Sequence, residues 1–552
     1  GVVLDYVTIS GTRTDQVFRS DTTYYVSGPA TMNGSTVTFE GGTVIKYGAG
    51  VSAGIGVGSA TKVVWRGAMY RPVVLTAKDD HGVGEKIGTA TTCSGYYATT
   101  ALALVYNATY GAFDLPWLRV SHAQNGVSVT GGSGHALRHF QAINCGKGVV
   151  AGGVGNYAVR NALFQGVGNA LSGSATVTAE HLTVNGGSLR DMGQPAVTLK
   201  NSLLTGVGDV GTLYGADSQV LGSSTGIFAS AQQGAHYLAA GSPYRNWSAA
   251  LSTIDATLLQ DLRRLSTYPP LILTGNITVN TTLAPQAQRD TDLLDLGFHY
   301  APLDWIGSAR SVGGGCTLML TNGVAVGSYG NYMISLSSST AKLVSEGTPR
   351  TLNWLTLVGA AQEQPTTASA SLYLVSIANV QVALRFTGVS LPGGRKIVPD
   401  GGFSGGFSLQ DCQVAGLAWY LYSYGFNPSV VLKNSLFESC NLRFEQGYSG
   451  TPYNLALSVR NCLMRDTPLN LWYSSSYYGT WELHDNLFDG VTFTLVPANG
   501  SGIPADRNGY TGVTGPTGWT NNKNSLSREF VGGPLGSYYY PASGGAPSLA
   551  SL

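Results

Sequence analysis

The 552 residues include 75 Gly and only 11% charged side chains, against about 25% charged in ordinary globular domains. A hydrophobic content of 43% with 10% aromatics excludes disorder, and Gly without a three-residue period excludes collagen. With 31 Lys plus Arg against 30 Asp plus Glu, the net charge of +1 offers no sustained attraction to nucleic acid or to an anionic membrane.

The chain opens on Gly1-Val-Val-Leu-Asp5, which has neither the basic nor the apolar region of an export signal, so a signal peptide is expected to be absent from this chain. No apolar run reaches the length of a membrane-spanning helix. Leu4-Asp-Tyr-Val-Thr-Ile9 alternates like a strand. It precedes the first recognisable coil, so Leu4, Tyr6 and Thr8 either cap that coil or pair with the edge of a neighbouring copy.

Lys78-Asp-Asp-His-Gly82 is the string most like catalytic machinery, because Asp79, Asp80 and His81 are the residue types of acid/base glycan hydrolysis. Adjacent strand residues point to opposite faces, which argues for a solvated turn instead. Polygalacturonases and pectate lyases resemble a coiled β architecture, but their accompanying signatures are missing here: the Asp pair and His are contiguous, and Arg71-Pro72 is all that remains of the lyase arginine motif.

From Leu118 the chain repeats. Leu118-Arg-Val-Ser, Leu137-Arg-His-Phe, Val159-Arg-Asn-Ala, Ala179-Glu-His-Leu and Leu199-Lys-Asn-Ser begin 19, 22, 20 and 20 residues apart. Short β-compatible runs punctuated by Gly or Asn at this period predict a parallel β-helix, each coil burying its inward side chains against the next. Leu163 and Leu203 are expected to face inward. His139, Asn161, His181 and Asn201 share one column, where Asn closes turns; the two His lie two rungs apart, too far to share a metal.

Ser252-Thr-Ile-Asp255 reads as a capping box for a short helix with Ile254, Leu258, Leu259, Leu262 and Leu265 on one face, stopped by Pro269-Pro270 and expected to cover a β-helix end or flank. Asp290, Asp292 and Asp295 carry the hard oxygens calcium prefers, set against turn and cap hydrogen bonding.

Beyond residue 305 the signal returns. Thr317-Leu-Met-Leu-Thr-Asn-Gly323 echoes Thr36-Val-Thr-Phe-Glu-Gly-Gly42, and Leu432-Lys-Asn-Ser-Leu-Phe437, Val459-Arg-Asn-Cys-Leu-Met464 and Leu483-His-Asp-Asn-Leu-Phe488 recur with longer loops. The Asn column here is read as Asn434, Asn461 and Asn486. Two tandem β-helices follow, over 1–230 and 306–552, joined by a linker over 231–305. The second half gathers aromatics between rungs: Trp419, Tyr422, Tyr424, Tyr448, Trp472, Tyr477 and Trp481 form either a glycan or partner surface, or packing for the loops. Six Cys show no CxxC pair, and nothing calls for a cofactor.

The stretches Ser266-Thr-Tyr-Pro-Pro270, Thr282 to Asp292 and Asp295-Leu-Gly-Phe-His-Tyr300, with Leu320 to Val326 and Pro534 to Tyr540, resemble segments of large secreted proteins of Verrucomicrobia and Planctomycetes that carry right-handed parallel β-helix repeats, some with RHS or YD repeats. The resemblance implies an exported bacterial surface protein and a right-handed coil; it brings no catalytic motif. The functional expectation is a non-catalytic structural protein that self-associates into an extracellular filament or surface layer, near-zero charge favouring contact between copies. Its rival is a carbohydrate-binding or carbohydrate-degrading β-helix with a polysaccharide partner.

Overall fold

The computed structural model describes residues 6–48, 52–211, 217–247, 253–369, 371–377, 379–401, 403–423, 427–446, 454–473, 480–498, 500–526, 530–533 and 536–539. The chain is a parallel β-solenoid, nearly all β, with one α-helix among the described residues. It divides into two compact units. The first comprises Gly1–Leu271 with Ala287–Leu303 and Leu357–Ala370; the second comprises Ile272–Gln286, Asp304–Thr356 and Ser371–Leu552.

In the first unit the strands His135–Ile143, Asn156–Gln165 and Thr176–Asn185 stack in parallel register, Tyr157 pairing with His135 below and Val177 above. The 22- and 20-residue offsets are the period of the sequence repeat. A second ladder, Ala123–Thr130, Lys147–Gly152 and Asn169–Gly173, completes these rungs. The column His139, Asn161, His181 and Asn201, with Trp117 before it, adopts the left-handed conformation at φ 54°, 49°, 54°, 50° and 57°. Asn tolerates that conformation, whereas His and Trp hold it at a cost of order 1–3 kcal/mol each, maintained by the surrounding packing. The ladder resumes at once after His139, Asn161 and His181, and at Leu203 after Asn201.

Alternation then sorts the side chains. Ala142, Phe164, Val184 and Leu204 lie in register and fill the interior. Gln141, Leu163, Thr183 and Leu203 lie one residue earlier, on the opposite face. The expected inward positions of Leu163 and Leu203 are therefore corrected by one residue. Both are nonetheless fully buried, and Leu203 packs with Leu238 and Leu296 in a separate cluster. A second layer of chain covers this outer face. Phe298 N donates to Thr183 Oγ1 at 2.9 Å, His299 N to Asn161 Oδ1 at 2.7 Å, and Asn161 Nδ2 returns a bond to His299 O at 2.9 Å. The buried Arg119 guanidinium donates to the Gln362 and Gly359 carbonyls of the Leu357–Ala370 strap.

The helix, Ala256–Leu262, is capped by Asp255, whose carboxylate accepts from Thr257 N and Leu258 N; Ser252 lies outside the described residues. It packs on the flank of the first unit through Leu258 and Leu262, in one cluster with Ile254, Leu265 and Leu294 and against Met69 and Trp117. The strand Tyr6–Thr14 forms the first rung, with Tyr6 paired to Thr23 and Thr8 to Tyr25 of its own chain; Leu4 lies outside the described residues.

The second unit repeats the design with longer rungs. Val382, Phe407, Val430, Leu457 and Trp481 align on successive strands. Its left-handed column is Asp411, Asn434, Asn461, Asp485 and Arg507. Asn486 sits one residue beyond that column, a correction to the sequence alignment. It is buried, accepting from Cys462 N at 2.9 Å and donating to Val459 O at 2.9 Å. All six Cys are free thiols, and burial pushes Cys145, Cys412 and Cys462 up to about 12.

Candidate functional site

Asp79, Asp80 and His81 follow directly on the strand Val73–Ala77, and all three are buried, not solvated as the turn reading expected. Asp79 accepts from Lys78 Nζ at 2.8 Å and from the Tyr97 hydroxyl at 2.6 Å. Burial alone would raise its carboxyl; these two hydrogen bonds outweigh burial and hold it below the usual range. Asp80 turns the other way, accepting from Thr76 Oγ1 at 2.8 Å and from the Gly82 and Thr366 backbone N–H groups at 3.0 and 3.1 Å. His81 Nδ1 lies 3.1 Å from Thr367 O. The two carboxylates take different partners in the turn that follows the strand, and the contacts of Asp80 with Thr366 and of His81 with Thr367 tie the coil to the covering strap.

Asp290, Asp292 and Asp295 also point apart. Asp290 Oδ2 contacts His299 Nε2 at 2.6 Å and accepts from Asp295 N at 2.8 Å, whereas Asp295 accepts from Asn246 N at 2.8 Å and from the Thr267 hydroxyl. Asp292 is exposed and accepts from Gln288 at 3.1 Å. Among the described residues, no group of three or more His, Cys, Asp or Glu gathers as a metal would require.

Trp419, Tyr420, Tyr422, Trp472 and Trp481 stand on strands of the rungs, not in loops. Ala418–Tyr422, Asn441–Glu445, Leu469–Trp472 and Phe493–Val496 form a four-stranded parallel sheet. Alternation sends Trp419 and Leu421 inward and Tyr420 and Tyr422 outward. Trp419 is therefore corrected from surface to core, its ring 4.9 Å from Phe407 and 5.5 Å from Phe444. Trp481 is likewise buried, donating from Nε1 to Leu455 O at 3.0 Å. Tyr424, Tyr448 and Tyr477 lie outside the described residues.

What remains on the outer face is a compact row. Tyr420 stands beside Arg443 and then Asn470 on successive strands, and Tyr422 beside Glu445, Trp472 and Val496 do the same one step along. The Arg443 guanidinium lies 4.3 Å from the Tyr420 ring centre and 5.3 Å from that of Trp472. The Tyr420 and Tyr422 rings are 5.3 Å apart. Glu445 fixes the arrangement, accepting from the Tyr420 hydroxyl at 2.7 Å and from Arg443 Nε at 2.6 Å. Burial and the Glu445 bond push Tyr420 up to about 12, so it stays a donor at neutral pH. Trp472 is 40% exposed and Val496 44%. Four strands at about 4.8 Å spacing span about 14 Å, a flat face of aromatic rings, a held guanidinium and an amide. Arg443, Glu445 and Asn470 were missed at the sequence level. Their only signal was the alternation with Leu442, Phe444 and Leu471, which the loop reading hid.

No family model and no curated protein matches this chain. Among solved structures, a mutant of the PL6 family alginate lyase AlyGC aligns over 94% of this chain and 95% of its own, at 10% identity and a TM-score of 0.18. That score and identity carry none of the lyase's chemistry to this chain.

Proposed function

We propose that the chain is a polysaccharide-binding β-solenoid, exported to the extracellular space or cell surface, that holds a glycan along the face formed by Tyr420, Tyr422, Arg443, Glu445, Asn470 and Trp472. The observation that carries this reading is the cluster of Tyr420, Tyr422 and Trp472 around the Arg443 guanidinium, which sets aromatic surface and polar groups side by side on three successive rungs. Sugar rings offer apolar C–H faces to aromatic rings and hydroxyls to guanidinium, carboxylate and amide groups. A glycan is itself a linear repeat, so a rung-by-rung surface suits it. The proposal assigns binding and no turnover to this face, whose one carboxylate, Glu445, is engaged by Tyr420 and Arg443.

Affinity electrophoresis of the full chain through gels containing a panel of neutral and acidic polysaccharides tests the reading. At least one polysaccharide should retard the protein, and Trp472→Ala and Arg443→Ala should each release it by about tenfold in affinity, some 1.4 kcal/mol. Mobility unaffected by every polysaccharide, or retardation that both variants preserve, overturns it.

A further inference from the structure

The four strands of the aromatic face carry one cation and one anion between them, Arg443 and Glu445. Both oxygens of Glu445 are engaged, one by the Tyr420 hydroxyl at 2.7 Å and the other by Arg443 Nε at 2.6 Å. On the preceding rung, where Arg395 O accepts from Ala418 N, Lys396 pairs with Asp400. The face is electrically balanced. An acidic chain would bring carboxylates to a guanidinium that already has its counter-ion, with no free charge to offset the loss of their hydration. A neutral chain brings hydroxyls and apolar ring faces, which the polar groups and the aromatic rings can satisfy.

The spacing is as specific as the charge. Tyr422, Glu445, Trp472 and Val496 occupy one column of the register, so the two aromatic side chains stand two rungs apart, about 9.6 Å along the stacking direction. The rung between them presents Glu445 in that column and Arg443 two residues back, with the guanidinium 5.3 Å from the Trp472 ring centre. Aromatic surface and charged groups therefore alternate from rung to rung. In an extended β-1,4-linked chain each sugar advances by close to one rung and is turned over relative to its neighbour, so the first and third sugars set the same apolar ring face on the sheet at a two-rung interval. A helical α-1,4-linked chain curves away from a flat sheet and cannot meet both rings.

We infer, resting on the polysaccharide-binding reading of this face, that it takes a neutral, extended β-1,4-linked glycan laid along the solenoid axis. Tyr422 and Trp472 stand against the first and third of three consecutive sugars, and the rim hydroxyls of the second lie at Arg443 and Glu445.

Isothermal titration of the full chain with trisaccharides tests it. Those of β-1,4-linked glucose, mannose, xylose and N-acetylglucosamine form one group; maltotriose, which changes the linkage, and β-1,4-linked trimannuronate, which adds charge, form the other. At least one of the first group should bind saturably, more tightly than either of the second, and about tenfold more tightly than its own disaccharide, which cannot reach both rings. Trp472→Ala should bring that trisaccharide down to the affinity of its disaccharide with the melting temperature unchanged, since the side chain is 40% exposed. Absence of saturable binding throughout the first group, tighter binding of maltotriose or trimannuronate, a trisaccharide no better than its disaccharide, or an advantage that survives Trp472→Ala overturns the inference. The polysaccharide reading falls separately: it survives each of these results as long as some polysaccharide retards the chain in the gel and Trp472→Ala and Arg443→Ala release it.

Discussion

The two units stack the same kind of rung yet use its outer face in opposite ways. In the first unit the outward column over Arg119, Gln141, Leu163, Thr183 and Leu203 is roofed by chain from Ala287–Leu303 and Leu357–Ala370, and every one of these side chains is buried. In the second unit the corresponding column, Gln413, Leu436 and Leu463, is only half-buried before it closes at the buried Leu487, and other outward positions carry Arg385 with Asp411, Arg460 with Glu482, and Tyr420 beside Arg443 and Trp472, which reach solvent. A solenoid rung supplies an inward residue and an outward one; whether the outward one serves stability or recognition depends on what else the chain lays over it.

The contrast is tested most severely at Arg119. Arg119→Ala removes the donors to two buried carbonyls, and its fully buried guanidinium has the Asp80 and Glu363 charges near it. Breaking such a buried charged contact costs about 3–5 kcal/mol, and urea unfolding should show a loss in that range. A loss below about 1 kcal/mol would mean that the strap is not fastened there.

Next in size are neighbouring residues on one strand. Leu204→Ala opens a cavity inside the coil and Leu203→Ala one beneath the roof, so each should cost about 2–5 kcal/mol. In the second unit the same pairing should split, because Val430 is buried and Val431 is 36% exposed. Val430→Ala should be clearly destabilising and Val431→Ala close to silent. Equal losses at Val430 and Val431 would show a covered face there too.

Acid should also separate the units. Burial holds His122, His135, His139 and His181 of the first unit below the ordinary imidazole value. As pH falls through about 6.5 the unfolded chain takes up protons that the folded unit resists, and stability is lost. His299 has the opposite sign. Burial lowers it, but the hydrogen bond and charge of Asp290 outweigh burial and raise it, so its contribution is present below the unfolded value and fades as pH rises through the folded one. Four groups against one predict a first unit that weakens on acidification, whereas the second contains only His484. Hydrogen exchange should accelerate between pH 7.5 and 5, after correction for intrinsic rates, in peptides spanning 135–185 more than in those spanning 428–446. The smallest effect is expected at Arg460→Ala, an exposed pair with Glu482, with no measurable change in thermal stability. A clear drop in melting temperature would mean that the open face is more tightly coupled to the fold than its exposure implies.

The sequence by itself determined the coil. A 20-residue period of short β runs, with Asn and His at one point of each repeat, left a parallel solenoid as the arrangement that pairs every strand and buries one face, and the left-handed φ at His139, Asn161, His181 and Asn201 is the turn those residues mark. The amphipathic stripe of the helix was equally legible, because a 3.6-residue period is local information. Tertiary structure alone decided which face of each rung is covered. Leu203 and Leu204 are both buried leucines, and only the clusters they join, with Leu296 or with Val184, show which faces the interior. The same holds for the candidate face. Trp419 and Tyr420 are adjacent aromatics, one core and one surface, and their assignment follows from pairing with Leu442 and Arg443 of the next rung. Alternation has a period of two, so a local reading off by one residue inverts every assignment; contacts between rungs more than twenty residues apart fix the phase.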